Sequence, residues 1–170
     1  MPAGYLARLR RAVDAARAVG IRPIYVTVRF RQGYPEISAR SKGFRAVTET
    51  GRLSDDDPSA AIHPDIAPVP DDVVVIKRRV SAFTGSDLEV VLRAANIDTL
   101  VLTGIATSGV VLSTLRQAAD LDYRLVVLAD ACLDGDAEVH RVLTEKVFPR
   151  QADVLTVNEW MEQLRRGEWI

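Results

Sequence analysis

Apolar positions recur along this chain with two periods, and the two alternate. From Tyr5 to Val19 the residues Leu6, Leu9, Val13 and Ala16 fall three or four apart, while Arg8, Arg10, Arg11 and Arg17 face elsewhere. That is the spacing of a helix with one buried stripe, and Gly20 ends it. Ile21 to Phe30 reads as a strand, with Pro23 near its start, where a missing N–H is tolerated. Val73-Val74-Val75-Ile76 predicts a second, buried strand running into Lys77-Arg78-Arg79. Ser86 or Asp87 caps a helix through Ala95, with Leu88, Val91, Leu92 and Ala95 inward. Thr99-Leu100-Val101-Leu102 predicts a third strand, broken at Gly104, and helical spacing resumes from Val110 to Leu121. Tyr123 to Leu128 follows as a strand ended by Asp130-Ala131-Cys132. Ala137 to Val147 then forms a helix with Val139, Val142 and Leu143 on one side. Ala152 to Val157 is the last strand, and Asn158 caps a tail helix carrying Trp160, Met161 and Leu164. Strands alternating with helices at this spacing predict an α/β protein: a three-layer, doubly wound, mostly parallel sheet covered on both faces.

Two features disturb that pattern. The stretch from Arg31 to Pro70 is the least regular part, with Gly33, Pro35, Gly43, Gly51, Asp55-Asp56-Asp57-Pro58, Pro64, Pro68 and Pro70. A connection this long is expected to be a lid or a partner surface. The chain also opens on a helix, whereas doubly wound domains open on a central strand.

Composition narrows the class without changing the fold. The chain has 170 residues, 48% hydrophobic and 26% charged, and a formal net charge of −1. One globular domain spanning 1–170 is expected, with neither nucleic acid nor an anionic membrane as partner. The single Cys132 excludes an intramolecular disulfide and fits a reducing, cytoplasmic setting. His63 and His140 belong to no metal-ligand spacing, and there is no phosphate-binding glycine loop, so neither a metal nor another cofactor is expected.

The chemistry gathers at two strand ends. Thr103-Gly104-Ile105-Ala106-Thr107-Ser108-Gly109-Val110 is a strand-to-helix turn that aims backbone N–H groups and the positive end of a helix at one point, as an oxyanion or carboxylate requires. It resembles the motif T-G-[VI]-x-T-x-x-C-V of the isochorismatase-like cysteine hydrolases. Lys77 through Leu88 (KRRVSAFTGSDL) is similar to that family's K-x-R-x-S-A-F-x-G-[ST]-x-L. From context alone Lys77 reads as a salt-bridging lysine at a sheet edge. The resemblance implies instead a catalytic lysine that activates the nucleophile and stabilises developing charge. It also implies a cis peptide at Ile105-Ala106 and an oxyanion hole formed by the amides of Ala106 and Val110. Ile105, Thr107, Ser108 and Phe83 would line the pocket.

The nucleophilic cysteine of the family falls on Val110, which cannot attack a carbonyl. Ser108 and Thr107 lie close by, but neither has a base near it in sequence, and an unactivated hydroxyl is a poor nucleophile. Cys132 is expected to be a small buried hydrophobe, and Asp130 to cap or hydrogen-bond its turn. The region after the Ile21–Phe30 strand reads Arg29-Phe30-Arg31-Gln32-Gly33-Tyr34, without the aspartate and histidines that hold zinc in the nicotinamidases of the family. Arg29, Arg31, Arg40, Lys42 and Arg45 would either face the pocket mouth and favour an acidic ligand or form a solvated face.

The family opens on an apolar strand of the type LLVIDxQ, whose aspartate is the catalytic acid or base. Here Met1 falls near the end of the loop after that strand. Its neighbours in the sheet would then pair directly, borrow a strand from another chain, or receive one from a start lying upstream; the last is the favoured expectation. The resemblance therefore implies a hydrolase-like protein related to enzymes of small amide or vinyl-ether metabolites, altered in catalysis by Val110. The alternative is a non-catalytic, ligand-binding or assembly subunit. A small-molecule ligand and a homo-oligomer, dimer or tetramer, are the expected partners.

Overall fold

The computed structural model describes residues 3–168. Helix α1 (Tyr5–Ala18) leads to β1 (Ile24–Val28), and the irregular stretch after it holds helix α2 (Arg45–Thr50) and short 3-10 turns. Strand β2 (Val73–Lys77) and helix α3 (Leu88–Ala94) follow, then β3 (Thr99–Ile105), a wide helical turn over Thr107–Val111, and α4 (Leu112–Asp120). The chain finishes with β4 (Arg124–Leu133), α5 (Ala137–Val142), β5 (Asp153–Leu155) and α6 (Val157–Arg166). The architecture is α/β with parallel strands, as the alternating periods predict. The expectation about Met1 lies outside the described residues.

The strands do not form one sheet. β1 pairs with β2, β3 with β4 and β4 with β5, all parallel, but among the described residues no ladder joins the two groups. β1 and β3 therefore do not pair directly with each other. Both groups nonetheless share one core. Val75 of β2 and the β1 residues Ile24 and Val26 meet Leu125 and Val127 of β4 beneath Leu92 of α3 and Leu115 of α4. On the opposite face α1 lays Tyr5, Leu9, Ala12 and Ala16 against Val126, Leu128, Val157 and Trp160.

Several local expectations shift for identifiable reasons. β1 is shorter than Ile21–Phe30: Pro23 has no N–H to give, and Phe30 leaves the ladder to bridge Ser54. Val74 and Ile76 are 43% and 39% exposed rather than buried, because β2 lies at a sheet edge and only its Val75 and Lys77 face the core. β4 runs through Asp130-Ala131-Cys132 to Leu133, resuming its pairing with β3 at Gly104↔Cys132 after a register shift. Val13 cedes the inward stripe of α1 to Ala12, and Val139 of α5 points outward. Asn158 does not cap α6. Thr156 does, in a reciprocal capping box with Glu159, while Asn158 accepts a hydrogen bond from Arg11.

Candidate functional site

Lys77 is the last residue of β2 and Ile105 the last of β3, so the two motifs both lie at strand C-termini. In parallel α/β sheets this is the end at which ligands bind. The loop after Lys77 is fastened to α4: Ala82 N–H donates to Thr114 Oγ1 at 2.9 Å, and the Ser81 hydroxyl donates to Gln117 Oε1 at 2.7 Å. The lysine motif and the elbow helix are therefore one connected unit. Phe83 packs in the core cluster beside Tyr123, with 6% of its surface exposed.

Lys77 is buried, 8% exposed, and its Nζ donates to the carbonyl of Arg79 at 2.6 Å. Burial disfavours the ammonium form and pushes its pKa down to about 8. The neighbouring Arg78 reaches outward instead, to the carbonyl of Arg29 and to the carboxylates of Glu36 and Asp55. It anchors the irregular stretch to the end of β2. Arg31 pairs with Glu36, and Arg40, Lys42 and Arg45 project from the same irregular stretch, which is the solvated-face arrangement.

The elbow carries the cis bond at Ile105–Ala106. Ile105 is 52% exposed, Ala106 and Val110 are half-buried, Ser108 is exposed, and Thr107 is completely buried. Ala106 carbonyl accepts from both Gly109 N–H (3.1 Å) and Val111 N–H (3.2 Å), closing the wide turn.

Two partners of this turn are invisible to sequence proximity. Thr107 Oγ1 lies 2.9 Å from His140 Nδ1, so a base from α5 does meet an elbow hydroxyl. Ser108 N–H donates to Asp134 Oδ2 at 2.7 Å. Burial raises the Asp134 pKa, but the hydrogen bonds from Ser108, Asp136 and Gly135 outweigh it and hold the carboxyl below its usual value. The only sequence signal was the position of Asp134 just past a strand end, with His140 one helical turn beyond the Asp136 cap of α5. Thr107 is completely buried, and its hydroxyl ties the elbow to His140 of α5. Thr107→Val, which leaves His140 Nδ1 without this partner, is expected to cost about 1–3 kcal/mol of unfolding free energy; urea titration checks it, and an unchanged midpoint would refute the clamp.

Cys132 is buried on β4 and its thiol is pushed up to about 12, mainly by desolvation, so it is not a nucleophile. Asp130 serves structure, its Oδ1 accepting from Val157 N–H at 2.8 Å and its carbonyl from Arg8 at 2.8 Å. No helix among the described residues is long and apolar enough to cross a membrane.

A family model described as "Isochorismatase domain" matches residues 3–159. The chain is 44% identical over 93 residues to the uncharacterized isochorismatase family protein YecD of Escherichia coli O157:H7, covering 55% of this chain and 50% of that one. It is 36% identical over 138 residues to the ureidoacrylate amidohydrolase RutB of Stutzerimonas stutzeri, covering 74% of this chain and 56% of the relative. Among solved structures, a cysteine hydrolase from Pseudomonas syringae pv. phaseolicola 1448A superposes with a TM-score of 0.89 at 25% identity, covering 96% of this chain and 81% of that one. The chain thus spans about half the length of the curated relatives it matches.

Proposed function

The chain belongs to the isochorismatase family, and from that premise we propose that it binds a small amide- or vinyl-ether-bearing metabolite at the rim formed by Lys77 and the 105–110 elbow, with hydrolysis altered by Val110. The observation that carries this reading is Lys77: a cation buried at a strand end and destabilised there by desolvation. Among the described residues no carboxylate pairs with it; burying such a group without one is costly, and a ligand that brings negative charge or a polarised carbonyl would relieve the cost. The elbow supplies the complementary half, an exposed turn opening the N-terminal end of a helix. A relative that acts on ureidoacrylate supports the substrate class.

Val110 removes covalent catalysis by the cysteine route, which favours the second reading, a ligand-binding subunit without turnover. Both predict binding, and only the first predicts product. The test is calorimetry and product analysis with ureidoacrylate and other small ureido acids and amides. Binding that vanishes in Lys77→Met supports the site; equal binding by both proteins removes Lys77 from it.

Lys77 also makes stability depend on pH. Its folded pKa is about 8, against 10.5 for an ordinary lysine. Between those values the unfolded chain holds the proton and the folded one does not, so this residue makes stability rise with pH across that window. Cys132 acts in the opposite sense, since its thiol stays protonated in the fold up to about 12 but ionises near 9 when unfolded. The expected result is read as a difference: subtracting Lys77→Met from the wild type leaves a stability term that climbs from about pH 8 to pH 10. A flat difference would show that Lys77 is not desolvated.

A further inference from the structure

We propose that β2 is a self-pairing edge: two copies of this chain join antiparallel along β2, about a two-fold axis at Val75, so that their sheets run on into one another. Chain connectivity places β2 outermost. Helices α3 and α4 share one core cluster, so the crossovers β2–α3–β3 and β3–α4–β4 pass over the same face. Crossovers between parallel strands are right-handed, so these two advance in one direction. The connection from β1 to β2 passes the opposite face, where Ile66 packs against the α1 cluster. It therefore advances the other way and carries β2 outside β1, its one strand partner.

The outer edge of β2 is open. Arg29 N–H donates to the Lys77 carbonyl at 3.4 Å, so Lys77 and, two residues back, Val75 turn their backbone groups toward β1. Successive residues of a strand alternate in this respect, so the N–H and C=O groups of Val74 and Ile76 face away from β1. Among the described residues, no backbone group outside the sheet bonds to them. The side chains of the same two residues are exposed, on the face opposite α3 and α4. Free backbone groups beside exposed aliphatic side chains form a template for a further strand.

The order of charges selects a second copy as that strand. Asp71-Asp72-Val73-Val74-Val75-Ile76-Lys77-Arg78-Arg79 is acidic where it begins, apolar through the middle and basic where it ends. Laid antiparallel on itself about Val75, it sets each Val74 opposite the second copy's Ile76. Both are outward-facing residues, as a hydrogen-bonded antiparallel pair requires. The four aliphatic side chains then gather on one face, and each Asp71 meets the second copy's Arg79. Those two are the charges left over. Asp72 is held by Arg17, and Arg78 by Glu36 and Asp55. Asp71 and Arg79 form no ion pair among the described residues, and Arg79 Nη1 donates to the Arg78 carbonyl. A parallel arrangement would set like charges side by side, and a one-residue slip would oppose an outward-facing residue to an inward-facing one.

Sedimentation velocity over a series from roughly micromolar to hundreds of micromolar protein, the range of a small interface, tests this. The expected result is a monomer–dimer equilibrium. Residue-resolved amide exchange at Val74 and Ile76 should slow as the concentration rises. Val74→Lys should weaken association on the order of tenfold or more, with the melting temperature of the dilute protein unchanged. Asp71→Arg and Arg79→Asp should each weaken it several-fold, and the two together should restore it, because the exchange keeps opposite charges facing. A chain that stays monomeric throughout overturns the proposal. So does a dimer that forms equally well in Val74→Lys, or one in which the Val74 and Ile76 amides exchange at the monomer's rate. A double charge variant as weak as its singles overturns the pairing about Val75, and the proposal with it. These readouts are of association alone, so the functional reading stands or falls separately.

Discussion

Val110→Cys is expected to give this protein a reactive thiol where the wild type has none. The wild type is a clean blank for the experiment, because its one cysteine, Cys132, is buried with a thiol pushed up to about 12. A cysteine at position 110 would sit in the first turn of a continuous helical run from Thr107 to Asp120. Thiols at helix N-termini are acidified, because the positive end of the helix favours the thiolate. Alkylation by iodoacetamide at neutral pH should therefore run on the order of tenfold faster than for an unperturbed thiol, with a pH midpoint below the ordinary value of about 8.5. An activated ester should acylate the same thiol in a stoichiometric burst. Valine and cysteine are close in volume, so the fold should tolerate the exchange. Should the introduced thiol react no faster than a cysteine in the denatured chain, the elbow would not be the nucleophile site that the motif implies. The double variant with Lys77→Met separates the contributions: a further fall in rate assigns electrostatic help to the lysine, and no change leaves the helix as the sole activator.

The elbow and the lysine loop were legible in the sequence because both are punctuated locally, by Gly104 and Gly109 in one and by Lys77 and the Ser81-Ala82-Phe83 turn in the other. What stayed unread depends on contacts between distant segments. His140 and Asp134 lie far from Thr107 and Ser108 in sequence, and only the β4–α5 connection brings them to the elbow. Val74 and Ile76 carry the pattern of a buried strand, but burial is a property of neighbours, and an edge strand lacks one. The cap of α6 shows the same limit at short range. Asn158 and Thr156 are both acceptable cap residues, and Glu159, at the third position after Thr156, decides between them.

Leu115→Ala is expected to produce the largest loss of stability and to change how the protein unfolds. Leu115 is fully buried in the cluster that joins both groups of strands, together with Val75 from one group, Val127 and Leu125 from the other, and Phe148. Truncating a buried leucine costs about 2–5 kcal/mol, the transfer of the lost methyl and methylene groups plus the cavity left behind. That is a large share of the roughly 5–15 kcal/mol that a domain has in total. The split sheet makes the position more sensitive still. Where a ladder crosses a sheet, hydrogen bonds couple its halves even after packing loosens. Here no ladder crosses among the described residues, so coupling falls to this core, to the bonds from the β2 loop to Thr114 and Gln117, and to α1 on the opposite face. Weakening the largest of these couplers should let β1 and β2 open before β3, β4 and β5. Urea titration followed by hydrogen exchange should then show an earlier transition for residues 24–28 and 73–77 than for 124–128, together with a shallower overall slope. Val90→Ala, at a residue 70% exposed on α3, serves as the control and should stay within about 0.5 kcal/mol of the wild type. A Leu115→Ala protein that unfolds in one step with an unchanged slope would mean that α1 and the bonds from the β2 loop to α4 hold the halves together without the core, and α1 would become the next element to weaken.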